Sequence, residues 1–164
     1  MSVKKAAPDA AQSAAERRTA DAEVGALVAK YAAAHAGVFE TARRWLQDRL
    51  PGAYEVVYEY RDALVTSYSP DERGYEAALA LRGAANGVLL YFNHGKDLPD
   101  PAKLLKGSGQ QTRSIVVEDA STLARSEIAA LVEAAIARNP VPYPPDGRGS
   151  IVIRSTTARK ARTT

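Results

Sequence analysis

The chain has 164 residues, 46% of them hydrophobic and 25% charged, with a net charge of +3. That is one domain's worth of an ordinary globular composition, long enough to bury a substantial core. The absence of cysteine excludes disulfides, thiolate metal sites and a cysteine nucleophile, and no apolar run approaches the roughly 18 residues a membrane helix needs.

The charge is unevenly placed. Residues 1–19 are net +2, residues 20–140 net −3, and residues 141–164 net +4. The basic balance therefore belongs to the ends, and the body is mildly acidic. The opening stretch is rich in Ala, Ser, Lys and Arg, without the apolar core of a secretory signal. It is expected to be a mostly disordered basic tail (1–19), which could turn helical near the body, on a cytoplasmic protein.

From Asp21, a plausible N-cap, Val24, Leu27, Val28 and Tyr31 recur at helical spacing. Gly37 is expected to break the helix. A second helix carries Phe39, Ala42, Trp45 and Leu46 on one side, with Arg43 and Arg44 on the other, and ends at Pro51-Gly52. The period then shortens to two. "AYEVVYEY" puts Tyr54, Val56, Tyr58 and Tyr60 on one side of a strand, and Glu55, Val57 and Glu59 on the other. Further strands are expected in "ALVTSYS", "YEAALALR", "VLLYFN" and "TRSIVVE", with Asn86-Gly87 marking a hairpin.

Ser126 is expected to cap a helix with Ile128, Leu131, Val132, Ala135 and Ile136 on its apolar face, ended by Asn139-Pro140. "PVPYPPDG" reads as an extended linker. The remainder reads as a basic tail with one short apolar run, Ile151 to Ile153, that could form a small strand. The expected domain spans 20–140, followed by the linker and tail at 141–164. The order helix, helix, about five strands, helix predicts an α+β two-layer sandwich: a mainly antiparallel sheet with the terminal helices packed on one face.

Catalytic motifs are lacking. The nucleophile elbow is absent, so an enzyme has no support. His35 lies in an alanine-rich helix and reads as surface or packing. His94, in "YFNHGKDLPD", has Asp97 and Asp100 nearby, but a single histidine beside aspartates is a weak metal signal, since catalytic zinc usually has three protein ligands. "KGSGQQTR" could offer backbone N–H groups and Arg113 to an anion, with Lys106 and Ser108 beside them. It runs into a strand rather than a helix, so a structural turn is the competing reading. Tyr58, Tyr68 and Tyr91 could line an open sheet face, or could be ordinary strand tyrosines. Glu55 and Glu59 share a strand face and could bind a cation, or could be solvated. Arg154, Arg159, Lys160 and Arg162 could bind nucleic acid weakly, or merely solubilise the tail.

Pro51-Gly52 with Glu55, "DALVTSYSP", "LYFNHGKDLPDP" and "LLKGSGQQTRSI" occur in this order. Together they resemble the YdhG-like family of bacterial domains of unknown function, over roughly residues 22–138. The resemblance implies a frataxin-like fold. It also implies a role, since some YdhG-like proteins are regarded as frataxin-like iron chaperones with an acidic first helix and edge strand. Here Asp21, Glu23, Glu40 and Asp48 are interleaved with Arg43, Arg44 and Arg49.

The expectation is thus a non-catalytic module for a small ligand or a partner, a homo-oligomer included. Tyr58, Tyr68, Tyr91, His94, Lys106, Ser108 and Arg113 are its candidate site. The alternatives are an iron chaperone using Glu55 and Glu59 with Asp21 and Glu23, and weak nucleic-acid binding through the tails.

Overall fold

The computed structural model describes residues 12–145 and 149–155. Lys4, Lys5, Arg159, Lys160, Arg162 and the Asp146-Gly147 turn lie outside the described residues. The element order is α1 (Ala14–Tyr31), α2 (Ala36–Arg49), β1 (Tyr54–Glu59), β2 (Ala63–Ser69), β3 (Leu79–Ala84), β4 (Gly87–Phe92), β5 (Arg113–Val116), α3 (Ala120–Ala124), α4 (Ser126–Arg138) and β6 (Ile151–Ser155). The fold is α+β, with an open six-stranded sheet of order β5-β4-β3-β2-β1-β6. Every pairing is antiparallel except that of β6 with β1.

The first helix starts earlier than the apolar spacing predicts. Ser13 accepts a hydrogen bond from the Glu16 backbone N–H, and the Glu16 carboxylate accepts one from Ser13 N–H. This reciprocal capping box satisfies two orphan donors and fixes the start two turns before Asp21. Asp21 is thus a mid-helix residue and not a cap. Gly37 does not break the chain either. The break falls at Ala32, followed by a 3₁₀ turn at Ala33–His35, and Gly37 lies inside α2. At α4, Ser126 is the first helical residue, and no side chain caps that end.

The helices lie on one face of the sheet. Ala20, Val24 and Val28 of α1, Phe39, Ala42 and Leu46 of α2, and Ile128, Leu131 and Val132 of α4 join one core with Val57, Leu64, Leu79, Leu81, Val88, Leu90, Phe92 and Ile115. The cross-strand register places those strand residues on the same side. Gly83 is part of this packing. A Cβ there would fall 2.7 Å and 2.9 Å from the Phe39 ring, so only glycine lets the ring lie directly on the sheet.

The opposite face carries no helix. It presents Tyr54, Val56 and Tyr58 of β1, Val65 and Ser67 of β2, Ala80 and Arg82 of β3, Leu89 and Tyr91 of β4, and Ser114 and Val116 of β5. The β2–β3 connection covers one edge. Gly74 packs on Val56 and Tyr58, which is how Val56 is fully buried on this side. Tyr75, expected to begin a strand, is in this connection and 76% exposed. The β3–β4 hairpin forms as predicted, although the turn residues are Ala85 and Asn86, and Gly87 takes the positive φ as the first residue of β4.

The sheet extends past residue 140. The proline-rich segment is anchored, not free. Asn139 donates to the carbonyls of Glu76 and Val141. The Tyr143 hydroxyl donates to Tyr68 O and accepts from Ala78 N–H. Gly149, at φ +61, passes so close to the carbonyls of Pro51 and Ala53 that a Cβ would meet both inside 3.0 Å. The chain then enters β6, which becomes the sixth strand where five were expected. The Gln12 side chain pairs with its outer edge, donating to Ile151 O and accepting from Ile151 N–H.

Candidate functional site

The most polar place in the interior joins α2 to β1 and β2. Arg43 and Glu55 are both buried. Arg43 Nε donates to Glu55 Oε2 at 2.8 Å and Nη2 to Oε1 at 3.0 Å, a bidentate fork. Gln47 Nε2 donates to Oε1 at 3.0 Å, and the Tyr68 hydroxyl to Oε2 at 2.8 Å. Thr66 Oγ1 donates to the Tyr68 oxygen at 3.1 Å. The third arginine nitrogen, Nη1, reaches Asp21 at 2.8 Å and Glu40 at 3.2 Å.

Burial opposes the charge on Arg43, but the Glu55 carboxylate and its hydrogen bonds outweigh it and hold the guanidinium above its usual range. Burial, and then the Glu55 charge, push the Tyr68 hydroxyl well up, so it stays a donor. Asp21 is lowered: its own burial works against ionisation, and Arg44 and Arg43 overcome it. With its oxygens already taken by four donors, Glu55 clamps the helix layer to the sheet. A cleft of about 300 Å³ bordered by Arg17, Gln47 and Gly149 opens toward it.

Tyr68, a candidate ligand contact, is therefore a core residue on the helix side, away from Tyr58 and Tyr91. The structure does not bring Glu55 and Glu59 together as a cation site. They point to one face four residues apart on an extended strand, about 13 Å. Glu55 is committed to Arg43, while Glu59 accepts from Tyr31 OH at 2.5 Å and Lys30 Nζ at 2.8 Å. Among the described residues no group of three or more His, Asp and Glu is placed to hold a metal ion.

The glycine loop is folded on itself. Lys106 and Ser114 exchange both backbone hydrogen bonds, at 2.8 Å and 2.9 Å. Gly107 turns the chain at φ +125. Arg113 lays its stem on Gly95 and Gly107, and its Nη1 donates to Gly109 O and Thr112 O at 2.7 Å and 2.9 Å. The guanidinium thus closes its own loop rather than reaching out as an anion fork. Lys106 and Ser108 are exposed. His94 borders a different feature, a cleft of about 190 Å³ floored by Leu98 and Ala135 and rimmed by Asp97 and Arg138. Arg138 Nη1 donates to Asp97 O there at 3.0 Å.

Of the predicted site residues, only Tyr58 and Tyr91 share the open face. Sequence reading missed Arg43, placed with Arg44 on an outer helix side. Its spacing held the signal, since Phe39, Ala42, Arg43 and Leu46 follow the 3–4 repeat of a buried stripe. Arg138 and Tyr143 were also missed.

No protein-family model, curated protein or solved structure matches the chain. None of the helices among the described residues is long and apolar enough to cross a membrane.

Proposed function

We propose that the chain is a non-catalytic cytoplasmic binding module whose contact surface is the open face of the sheet. One observation carries this reading. Tyr58, Val65, Leu89, Tyr91 and Val116 lie together on a face no helix covers, and Val116 is 56% exposed. The other four are partly exposed, and an apolar and aromatic surface left open in this way marks an interaction site more often than a bare exterior. The cysteine-free sequence suits a reducing compartment.

A small-ligand site at the His94 cleft has weaker support, because about 190 Å³ falls below the roughly 300–1,000 Å³ of ordinary ligand pockets. The iron-chaperone role implied by resemblance to YdhG-like, frataxin-like domains is weaker again, because Glu55 is already neutralised by Arg43.

The test is site-specific photocrosslinking in cells. Benzoylphenylalanine replacing Tyr91 should capture a partner, and the same residue replacing Glu133 on α4 should not. Equal capture from both positions, or none from position 91, would reject the open face as the contact surface.

A further inference from the structure

We infer that the open face binds single-stranded nucleic acid, with the Tyr58–Tyr60 end of β1 as its stacking platform. This rests on the reading of that face as the contact surface and names the partner. The charge on the face is one-sided. Its strand positions carry Arg82 and Arg154 and no aspartate or glutamate, although the body of the chain is net acidic. Among the described residues neither Arg61 nor Arg82 forms an ion pair. Arg154 spends its hydrogen bonds on the carbonyls of Glu72 and Arg73, at 2.9 Å and 3.5 Å, so its charge is not cancelled by a carboxylate. Asp62 and Glu72, both exposed, stand at the margin. Asp71 is matched by Arg73 at 2.8 Å.

Aromatic rings stand at the same end. Tyr58 and Tyr60 have centroids 6.3 Å apart and planes tilted by 32°, and Tyr60 is 45% exposed. Bases stack on such rings only when unpaired, so the surface favours a single strand over a duplex. β6 delivers the chain to this spot, because Ser155 pairs with Glu59, next to Tyr60. The nine residues that follow, 156–164, contain Arg159, Lys160 and Arg162 and no acid. On the described face Arg82 and Arg154 accompany the exposed Tyr60 ring, and cations with an accessible ring are the pairing that single-stranded nucleic acid requires: phosphates neutralised, bases stacked.

The experiment is fluorescence anisotropy of the full chain with labelled dodecamers of oligo(U), oligo(dT) and a duplex of equal length, at several salt concentrations. Single strands should bind better than duplex, with a log–log salt slope of about −2 to −4 if three to five phosphates are neutralised. Comparing oligo(U) with oligo(dT) separates RNA from DNA. Tyr60→Ala should weaken binding at least about fivefold. Tyr60→Phe, which keeps the ring, should bind like the parent, and Arg82→Gln should weaken binding and flatten the slope. Circular dichroism confirms that each variant is folded.

The inference is overturned if no oligonucleotide binds in low salt, if duplex binds as well as single strand, or if only removal of 156–164 matters while Tyr60→Ala and Arg82→Gln do not. Nuclease-resistant crosslinks from position 91 alongside absent oligonucleotide binding would sink this inference and leave the binding-module reading intact.

Discussion

Replacing Glu55 with glutamine tests the clamp between the helix layer and the sheet. The substitution keeps the shape and removes the charge. Two oxygens now accept four hydrogen bonds, two from Arg43 and one each from Gln47 and Tyr68. An amide nitrogen in either oxygen's place confronts at least one Arg43 N–H with another donor. Breaking a buried ion pair from one side costs about 3–5 kcal/mol, most of it the penalty for the stranded charge. Arg43 retains Asp21 and Glu40, so the expected loss is toward the low end, about 3 kcal/mol. At roughly 2–4 °C per kcal/mol for a chain of this size, Tm should fall by about 6–12 °C. Urea denaturation followed through the fluorescence of Trp45 measures it directly.

The stranded charge can be isolated with a double substitution. Arg43→Met with Glu55→Leu should be more stable than Glu55→Leu alone, because no guanidinium is left buried without its partner. A Glu55→Gln loss below about 0.5 kcal/mol, or a double variant showing the plain sum of the two single losses, would refute the reasoning.

Two further outcomes follow from the packing and the buried hydroxyls. Gly83→Ala should cost about 1–3 kcal/mol in thermal melts by driving a methyl into the Phe39 ring, and Phe39→Leu in the same chain should recover part of it. Stability should also fall in alkali. Burial raises Tyr143 to about 12 from an ordinary 10, and Tyr68 is raised as well. The unfolded chain therefore loses these protons first. The contribution is whole below pH 10 and declines between pH 10 and 12, by about 1.4 kcal/mol per unit for Tyr143 alone. Denaturation midpoints that stay level across that window would contradict it.

The fold class was legible because the apolar spacing changes from 3.6 to 2 after Pro51 and back near Ser126, and burial follows those periods. Helix ends were less legible. Local side-chain hydrogen bonding at Ser13 and Glu16 decided the start of α1, and it leaves no apolar signature. The sixth strand was read as part of a tail because a run of three apolar residues, Ile151 to Ile153, carries little signal without its neighbour, and parallel pairing with β1 is a tertiary event. The site was the least legible part. Tyr58 and Tyr68 look alike in sequence, yet one faces outward and the other is buried against Glu55. Register across three strands separates them. Arg113 resembled an anion fork because its own loop carbonyls, which occupy it, come into reach only when the loop closes.

The parallel seam between β1 and β6 has a consequence for how the chain is made. β1 through β5 pair mostly with sequence neighbours, so that sheet can assemble as it leaves the ribosome. The β1 edge must wait for Ile151. Throughout that interval its peptide groups are open to any passing strand, as edges are. Slowed translation or truncation before residue 151 should therefore prolong a species prone to edge-to-edge aggregation, even though its helix-covered core is already in place.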